Sequence, residues 1–299
     1  MVTVGLVARF GGALWALTWL IGAALVWTRP TSDAVGRKWL TLVACALVGA
    51  ALGAGNLSIW VLPSLERATP AAGQHTLRVA SFNVNLDNAE HQRIAQWVKE
   101  LNPDVLALLE VTPAMQPLLD ALRPHYPYAV VQLRDDPFGL AVLSRYQLLD
   151  DGIKQLNGGT PSLTAQLMWP VLPDGHGVAL HVLHPTPPIS PELRFDRDAA
   201  MRTLAPTDLI SQGANAIALG DFNATAWTPA VRDLAQSGWA RATSLQPTWM
   251  GVLPIDHILA THEHWQVLRT GVGPRLDSDH HPVWVDLVMK VERPSLSKQ

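Results

Sequence analysis

With 299 residues, 48% of them hydrophobic and only 16% charged, the chain is more apolar than a purely soluble protein needs to be. From residue 70 onward 17 Lys and Arg face 23 Asp and Glu, a balance that argues against strong nucleic-acid binding. The single cysteine, Cys45, excludes an intramolecular disulfide and a zinc–thiolate centre.

The apolar excess is local. Residues 10–27 and 39–62 carry no charge, and each run is long enough to cross a hydrocarbon core of about 30 Å at about 1.5 Å per residue. Buried core helices would keep a polar stripe, which these runs lack. Residues 1–62 are therefore expected to form two transmembrane helices, with Trp27, Trp39 and Trp60 near the span ends where indoles favour the headgroup region. A single cleaved leader fits two successive runs less well. The loop between them holds Arg29, Arg37 and Lys38 against one acid, Asp33. Positive loops stay in the cytoplasm, so both ends of the hairpin are expected outside, although Arg9 in the N-terminal tail reduces the contrast.

Residues 63–75, rich in Pro, Ala and Gly, read as a linker. Residues 76–290 suffice for one substantial domain, and 291–299 are left as a C-terminal tail. Strand-like runs cover 77–84, 105–111, 138–144, 177–184, 216–222, 255–260 and 282–289, alternating with helical stretches, which argues for an α/β domain with buried sheets. Asp87 and Glu90 are spaced as a capping box. Ile94, Trp97, Val98 and Leu101 follow at helical spacing, and Pro103 ends that helix. A second helix is expected over about 191–212, with Pro206 as a kink or break.

Polar residues recur where strands end: Asn83, Glu110, His184, Asp221 with Asn223, Asp256 with His257, and Asp279 with His280. One acid at a strand end is an ordinary turn or cap, whereas this series argues for a single shared site. In ALGDFNAT, Asp221 and Asn223 stand two apart in an extended segment and share one face. The acids offer oxygen ligands to a hard cation such as Mg2+ or Mn2+, and no cysteine cluster or HExxH spacing favours zinc.

The series FNV, LLEV, LHVLH, GDFN, IDHIL and SDHHPV resembles the endonuclease/exonuclease/phosphatase superfamily, in the family's order and across residues 76–289. The resemblance implies a four-layer sandwich: two mostly antiparallel β-sheets face to face, flanked by helices. It also implies metal-dependent hydrolysis of a phosphate mono- or diester. Carried over to this sequence, it makes Glu110 the main metal ligand, Asn83 the amide beside it and Asp279 an acid near the metal. Asp221 orients or deprotonates the attacking water, Asn223 holds a phosphate oxygen, His280 acts at the scissile phosphate with Asp256 orienting it, and His184 stabilises charge or protonates the leaving oxygen.

Arg194 and Arg197 follow His184 and are candidates to clamp the substrate phosphate or to form a solvated helix face. Asn85 adds a second amide to the site or caps a turn. Strand alternation turns His257, His281 and His181 away from the site. The expected function is a membrane-anchored, extracytoplasmic phosphoesterase acting on a lipid or lipid-linked phosphate, with the bilayer as partner. An anchored nuclease and an inactive binding scaffold are the alternatives.

Overall fold

The computed structural model describes residues 61–69, 71, 73–172, 177–204 and 215–290. Residues 1–60, which carry almost all of the expected transmembrane hairpin, lie outside the described residues, as does the tail 291–299. No helix among the described residues is long and apolar enough to cross a membrane. The chain divides after Val61, and the fold below begins at Leu62.

Strand formation follows burial. The strands are β1 (Leu77–Asn83), β2 (Val105–Leu109), β3 (Tyr128–Gln132), β4 (Leu140–Ser144), β5 (Leu148–Gln155), β6 (Pro161–Leu167), β7 (Val178–Leu183), β8 (Ala216–Asp221), β9 (Trp239–Arg241), β10 (Asp256–Thr261), β11 (Trp265–Val272) and β12 (Val283–Met289). One six-stranded sheet has the order β11, β12, β1, β2, β4, β3 and the other β5, β6, β7, β8, β10, β9. Pairing is antiparallel except for β1 with β2 and β7 with β8. The two sheets face each other across one core. Val79, Val105, Leu109 and Val285 of the first sheet meet Leu163, Leu180, Leu219 and Ile258 of the second. Alternate residues of β1 and β2, among them Phe82, Leu106 and Leu108, point the other way. Strands buried on both faces read as unbroken apolar runs, as VLALL does.

Helices cover the outer faces. On the first sheet, α1 (His91–Leu101) buries Ile94, Trp97 and Val98, and α2 (Gln116–Leu122) buries Leu118 and Leu122. The expected capping box does not form: Glu90 makes no side-chain cap, and Asn88 Oδ1 instead accepts from the Glu90 N–H at 2.8 Å. On the second sheet, α3 (Pro191–Arg202) is capped by Ser190, whose hydroxyl accepts from the Leu193 N–H. This helix ends at Arg202, ahead of the kink or break expected at Pro206. The Thr203 N–H folds back to the Ala200 carbonyl, and the Leu204 carbonyl is taken by Trp239 Nε1; residues 205–214, with Pro206, lie outside the described residues. A short α4 (Pro229–Arg232) leads into β9.

The stretch expected as a linker is, in its first half, part of the domain. Leu65 is buried, and so is Leu62, expected as the last residue of the second span; backbone bonds tie Leu62 to Ala226, Leu65 to Arg241 and Ala68 to Val267. This strap pairs with the edge strands β9 and β11, one from each sheet, and so covers two rows of otherwise open backbone groups.

Candidate active site

The topology brings one end of the sandwich together. β1, β2, β7 and β8 finish there, while β10 and β12 start there, so Asn83, Glu110, His184, Asp221, Asp256 and the 278–280 segment meet. In the β8–β10 register Asp256 lies directly opposite Asp221. Two acids facing across a ladder repel, and this pair stands because cations sit beside it. His280 Nδ1 is 2.8 Å from Asp256 Oδ2, and its Nε2 is 3.5 Å from Asp221 Oδ2. His184 Nε2 lies 3.5 Å from the same oxygen and 3.9 Å from Glu110 Oε1.

Backbone conformation sets these positions. Gly220 has φ +143°, and a Cβ there would fall 1.9 Å from the Leu183 carbonyl oxygen, so only glycine lets β8 approach β7 just before Asp221. Glu110 and Asn223 adopt left-handed φ values of 62° and 47°. Such values are uncommon away from glycine and are tolerated best by Asn and Asp. Asn83 Nδ2 donates to Glu110 Oε1 at 2.8 Å and to Asp221 Oδ2 at 3.2 Å, and the Leu86 N–H holds Glu110 Oε2 at 3.1 Å. In this orientation Asn83 joins the two carboxylates through its NH2 group, while its Oδ1 accepts from the Asn85 N–H.

The electrostatics follow from burial and pairing. Burial works against a charged His280, but Asp256, Asp221 and Asp279 prevail and push it up to about 10. His184 is likewise raised: burial opposes its charge, and the hydrogen bond and charge of Asp221, with Glu110, outweigh it. Burial alone would raise Asp221, yet the bond from His184 and the charge of His280 pull it down to about 2. At neutral pH, therefore, an Asp221 carboxylate faces a His280 imidazolium, with His184, also raised, on the same oxygen.

The remaining predicted residues divide. The Asn223 N–H donates to Asp221 Oδ1 at 2.8 Å, and its Nδ2 donates to the Pro185 carbonyl at 3.0 Å. Asp279 accepts from Asn85 Nδ2 at 3.1 Å and from Trp249 Nε1 at 3.0 Å. Arg194 is exposed on the first turn of α3 and makes none of these contacts. Arg197, expected as a phosphate clamp or a solvated residue, is buried instead; its guanidinium donates to the Asn223 carbonyl and to Asp198, because Arg197 shares the buried face of α3 with Ala200 and Met201, three and four residues on. His257 Nε2 is 2.8 Å from the Ala224 carbonyl, His281 Nδ1 is 3.0 Å from the Gly273 carbonyl, and His181 meets the Trp239 ring edge-on. Sequence reasoning missed Trp249 and Ser278. Ser278 donates to the Asn83 carbonyl and accepts from the His280 N–H. The signal for Trp249 was slight: a lone indole in the uncharged loop PTWMG.

Two donor groups suit a hard cation. Asp221, Asp256 and His280 bring one ligand atom each within 4.8 Å of one another. Glu110 and Asp221, with Asn83 between them, form the other. In the first group the Asp256–His280 bond already engages two of the three side chains, and a protonated ring offers no lone pair. The Glu110 side offers carboxylate oxygens, which fit Mg2+ or Mn2+ better; in the orientation seen here Asn83 bonds those carboxylates through its NH2 group and would ligate only with its amide turned.

A sequence model of the Endonuclease/Exonuclease/phosphatase family matches residues 80–280. The chain belongs to this family. Structures of the same fold include an endonuclease/exonuclease/phosphatase from Beutenbergia cavernae, 20% identical over 72% of each chain with a TM-score of 0.58. Truncated TDP2 of Caenorhabditis elegans is 20% identical over 71% of this chain and 98% of its own, at 0.58. The human Nocturnin catalytic domain with bound sulfate anion is 18% identical over 72% and 95%, at 0.55. No curated protein matches the chain. Family membership is consistent with a hydrolase of phosphate esters, and all six strand-end motifs lie in or at the edges of the matched span.

Proposed function

We propose that this protein is a membrane-anchored, divalent-metal-dependent phosphoesterase acting on a lipid or lipid-linked phosphate, with its catalytic domain on the outer side of the cell membrane. The observation that carries the chemistry is the convergence of Asn83, His184 and His280 on Asp221 Oδ2, beside Glu110. Glu110 would hold Mg2+ or Mn2+, with Asn83 bonded to its carboxylate and with Asp279, which Asn85 and Trp249 hold in place, as a further acid. When bound, the cation neutralises the charge that develops on the phosphate oxygens.

The protein groups divide the remaining work. A carboxylate held at about 2 is a weak base, so Asp221 acts chiefly by orienting the attacking water and accepts its proton only as the P–O bond forms. Asn223 donates to a phosphate oxygen. His280, fixed by Asp256, presents its Nε2–H to the developing charge, and His184 supplies the proton for the leaving oxygen.

The lipid assignment is supported by the rim of the site. The four most exposed large apolar side chains among the described residues are Ile189 at 83%, Val252 at 67%, Met250 at 65% and Phe195 at 62%. Ile189 belongs to the segment that follows His184, and Met250 and Val252 to the one that precedes Asp256, while Phe195 lies on α3. PTPPIS (185–190) and SLQPTWMGVLPI (244–255) contain no charged residue. Exposed apolar groups gathered beside a polar cleft fit a substrate with an apolar tail, and two uncharged runs at the N-terminus are long enough to place the enzyme at a bilayer.

The test replaces Ile189, Met250 and Val252 together with Gln. The variant should lose about tenfold or more in kcat/KM on a vesicle-borne phospholipid, since each buried apolar side chain contributes about 1.5–3 kcal/mol, while turnover of a soluble aryl phosphate is unchanged. An equal loss on both substrates, or on neither, contradicts the lipid assignment.

A further inference from the structure

Arg197 is 5% exposed on the inward face of α3, yet none of the roles above uses it. Its Nη1 donates to the Asn223 carbonyl at 3.1 Å, while Nε and Nη2 both donate to Asp198 Oδ1 at 2.9 and 2.6 Å. A buried guanidinium needs a counter-charge, and Asp198 provides it. The charge is thus satisfied within the wall of the site.

What the guanidinium grips is a residue in the left-handed region. Asn223 has φ 47°, a conformation that asparagine adopts more readily than most residues and that its surroundings here fix. Three bonds do so: its N–H to Asp221 Oδ1, its Nδ2 to the Pro185 carbonyl, and Arg197 on its own carbonyl. Pro185 takes one of the two amide hydrogens, which leaves one N–H free to meet a ligand. The bracket has a firm base. Ser190 caps the start of α3, and Thr186 Oγ1 donates to the Leu193 carbonyl, so the helix and the 185–190 loop are fastened together.

We infer that Arg197 is a positioning residue: by fixing the Asn223 peptide it keeps the second Asn223 amide hydrogen aimed at the substrate phosphate. This rests on the reading of Asn223 as a phosphate donor. Misplacing such a group by about 1 Å costs up to about 100-fold in rate, so a residue outside the reaction centre can matter as much as one within it.

A double-mutant cycle on the full-length protein tests this, with kcat and KM measured on a soluble aryl phosphate with Mg2+. Arg197→Met should lower kcat about 10- to 100-fold, with KM nearly unchanged. In the Asn223→Ala background the same substitution should cost less than about threefold, since the backbone carbonyl that Arg197 holds remains but the amide it positions is gone. Arg197→Lys should recover part of the loss, because an ammonium can reach the carbonyl but cannot also form the paired contact to Asp198. If Arg197→Met does not fold, Arg197→Lys is carried through the same cycle. Equal losses in both backgrounds, or a raised KM with kcat intact, would overturn the inference in favour of a stability role or a direct phosphate clamp. Full activity in Asn223→Ala alone would overturn the reading of Asn223, and this inference with it.

Discussion

Asp221 is where the residue-scale argument is most exposed to test, because its Oδ2 faces Asn83, His184 and His280 at once. Asp221→Asn keeps the shape but removes the charge that both imidazoles face. It should lower turnover about 1,000-fold or more while the fold survives; normal turnover would end the mechanism. Glu110→Gln should raise the Mg2+ concentration for half-maximal activity about 10- to 100-fold, whereas Asp256→Asn should lower kcat with little effect on that concentration. The reverse pattern would place the cation on the Asp221, Asp256 and His280 group instead. His257 carries a separate pH effect. It is fully buried, and burial pulls it down to about 4, below its ordinary 6.5. The unfolded chain therefore takes up a proton between pH 6.5 and about 4 that the folded one refuses. Stability from this group is complete above pH 6.5 and falls as pH drops towards 4, by up to roughly 3 kcal/mol. Urea titrations at pH 7 and 4.5 should show a smaller difference for His257→Gln than for the wild type.

At the scale of elements, legibility followed burial. β1, β2, β7, β8 and β10 are central strands whose apolar runs end in polar site residues, and their bounds agree with the expected runs to within two residues. β3, β5 and β9 are edge strands and gave no such signal. LLDDGIKQ of β5 is largely exposed and broken by a register shift between Leu149 and Gly152. β6 and β11 were also missed, since their partly exposed polar positions interrupt the apolar pattern. Arg197 was misplaced for a related reason: a cation after a catalytic histidine reads as a phosphate ligand, and no local pattern reveals that its partner is a carbonyl 26 residues away. The strap was missed because Pro, Ala and Gly dominate its neighbourhood, while one of its two anchors, Leu62, reads as the end of the second apolar run and the other, Leu65, stands alone among polar residues. Its position has a practical result. A soluble fragment beginning at residue 72 would leave the Leu62 and Leu65 sites empty and bare the edges of β9 and β11, so it should melt lower and aggregate more readily than one beginning at residue 61. Leu65→Ala in the longer fragment should cost about 2–5 kcal/mol by urea titration. Equal melting temperatures for the two fragments would show that the strap contributes nothing.

At the scale of the whole molecule, the reading joins two parts of different character: an uncharged N-terminal pair of runs and an acidic catalytic domain. Side predictions follow from the charges flanking those runs. With Cys45 replaced and Ala71, which is exposed, changed to Cys, the new thiol should react with a membrane-impermeant maleimide in intact cells if Arg29, Arg37 and Lys38 place the intervening loop inside, as the proposed topology has it. Labelling only after lysis would reverse the topology. Anchoring raises the effective concentration of a membrane-bound substrate and does little for a soluble one. Duplex DNA, by contrast, needs several Lys or Arg contacts to phosphates, which a domain with 17 basic against 23 acidic residues from residue 70 onward is poorly supplied to make. The most direct measurement is kcat/KM of the full-length protein at physiological salt, with Mg2+ and with EDTA, on phosphorylated lipids in vesicles and on plasmid DNA. The account predicts turnover of a vesicle-borne lipid phosphate that EDTA abolishes, and weak or no cleavage of the plasmid. Efficient DNA cleavage without lipid turnover, or lipid turnover that survives EDTA, would contradict it.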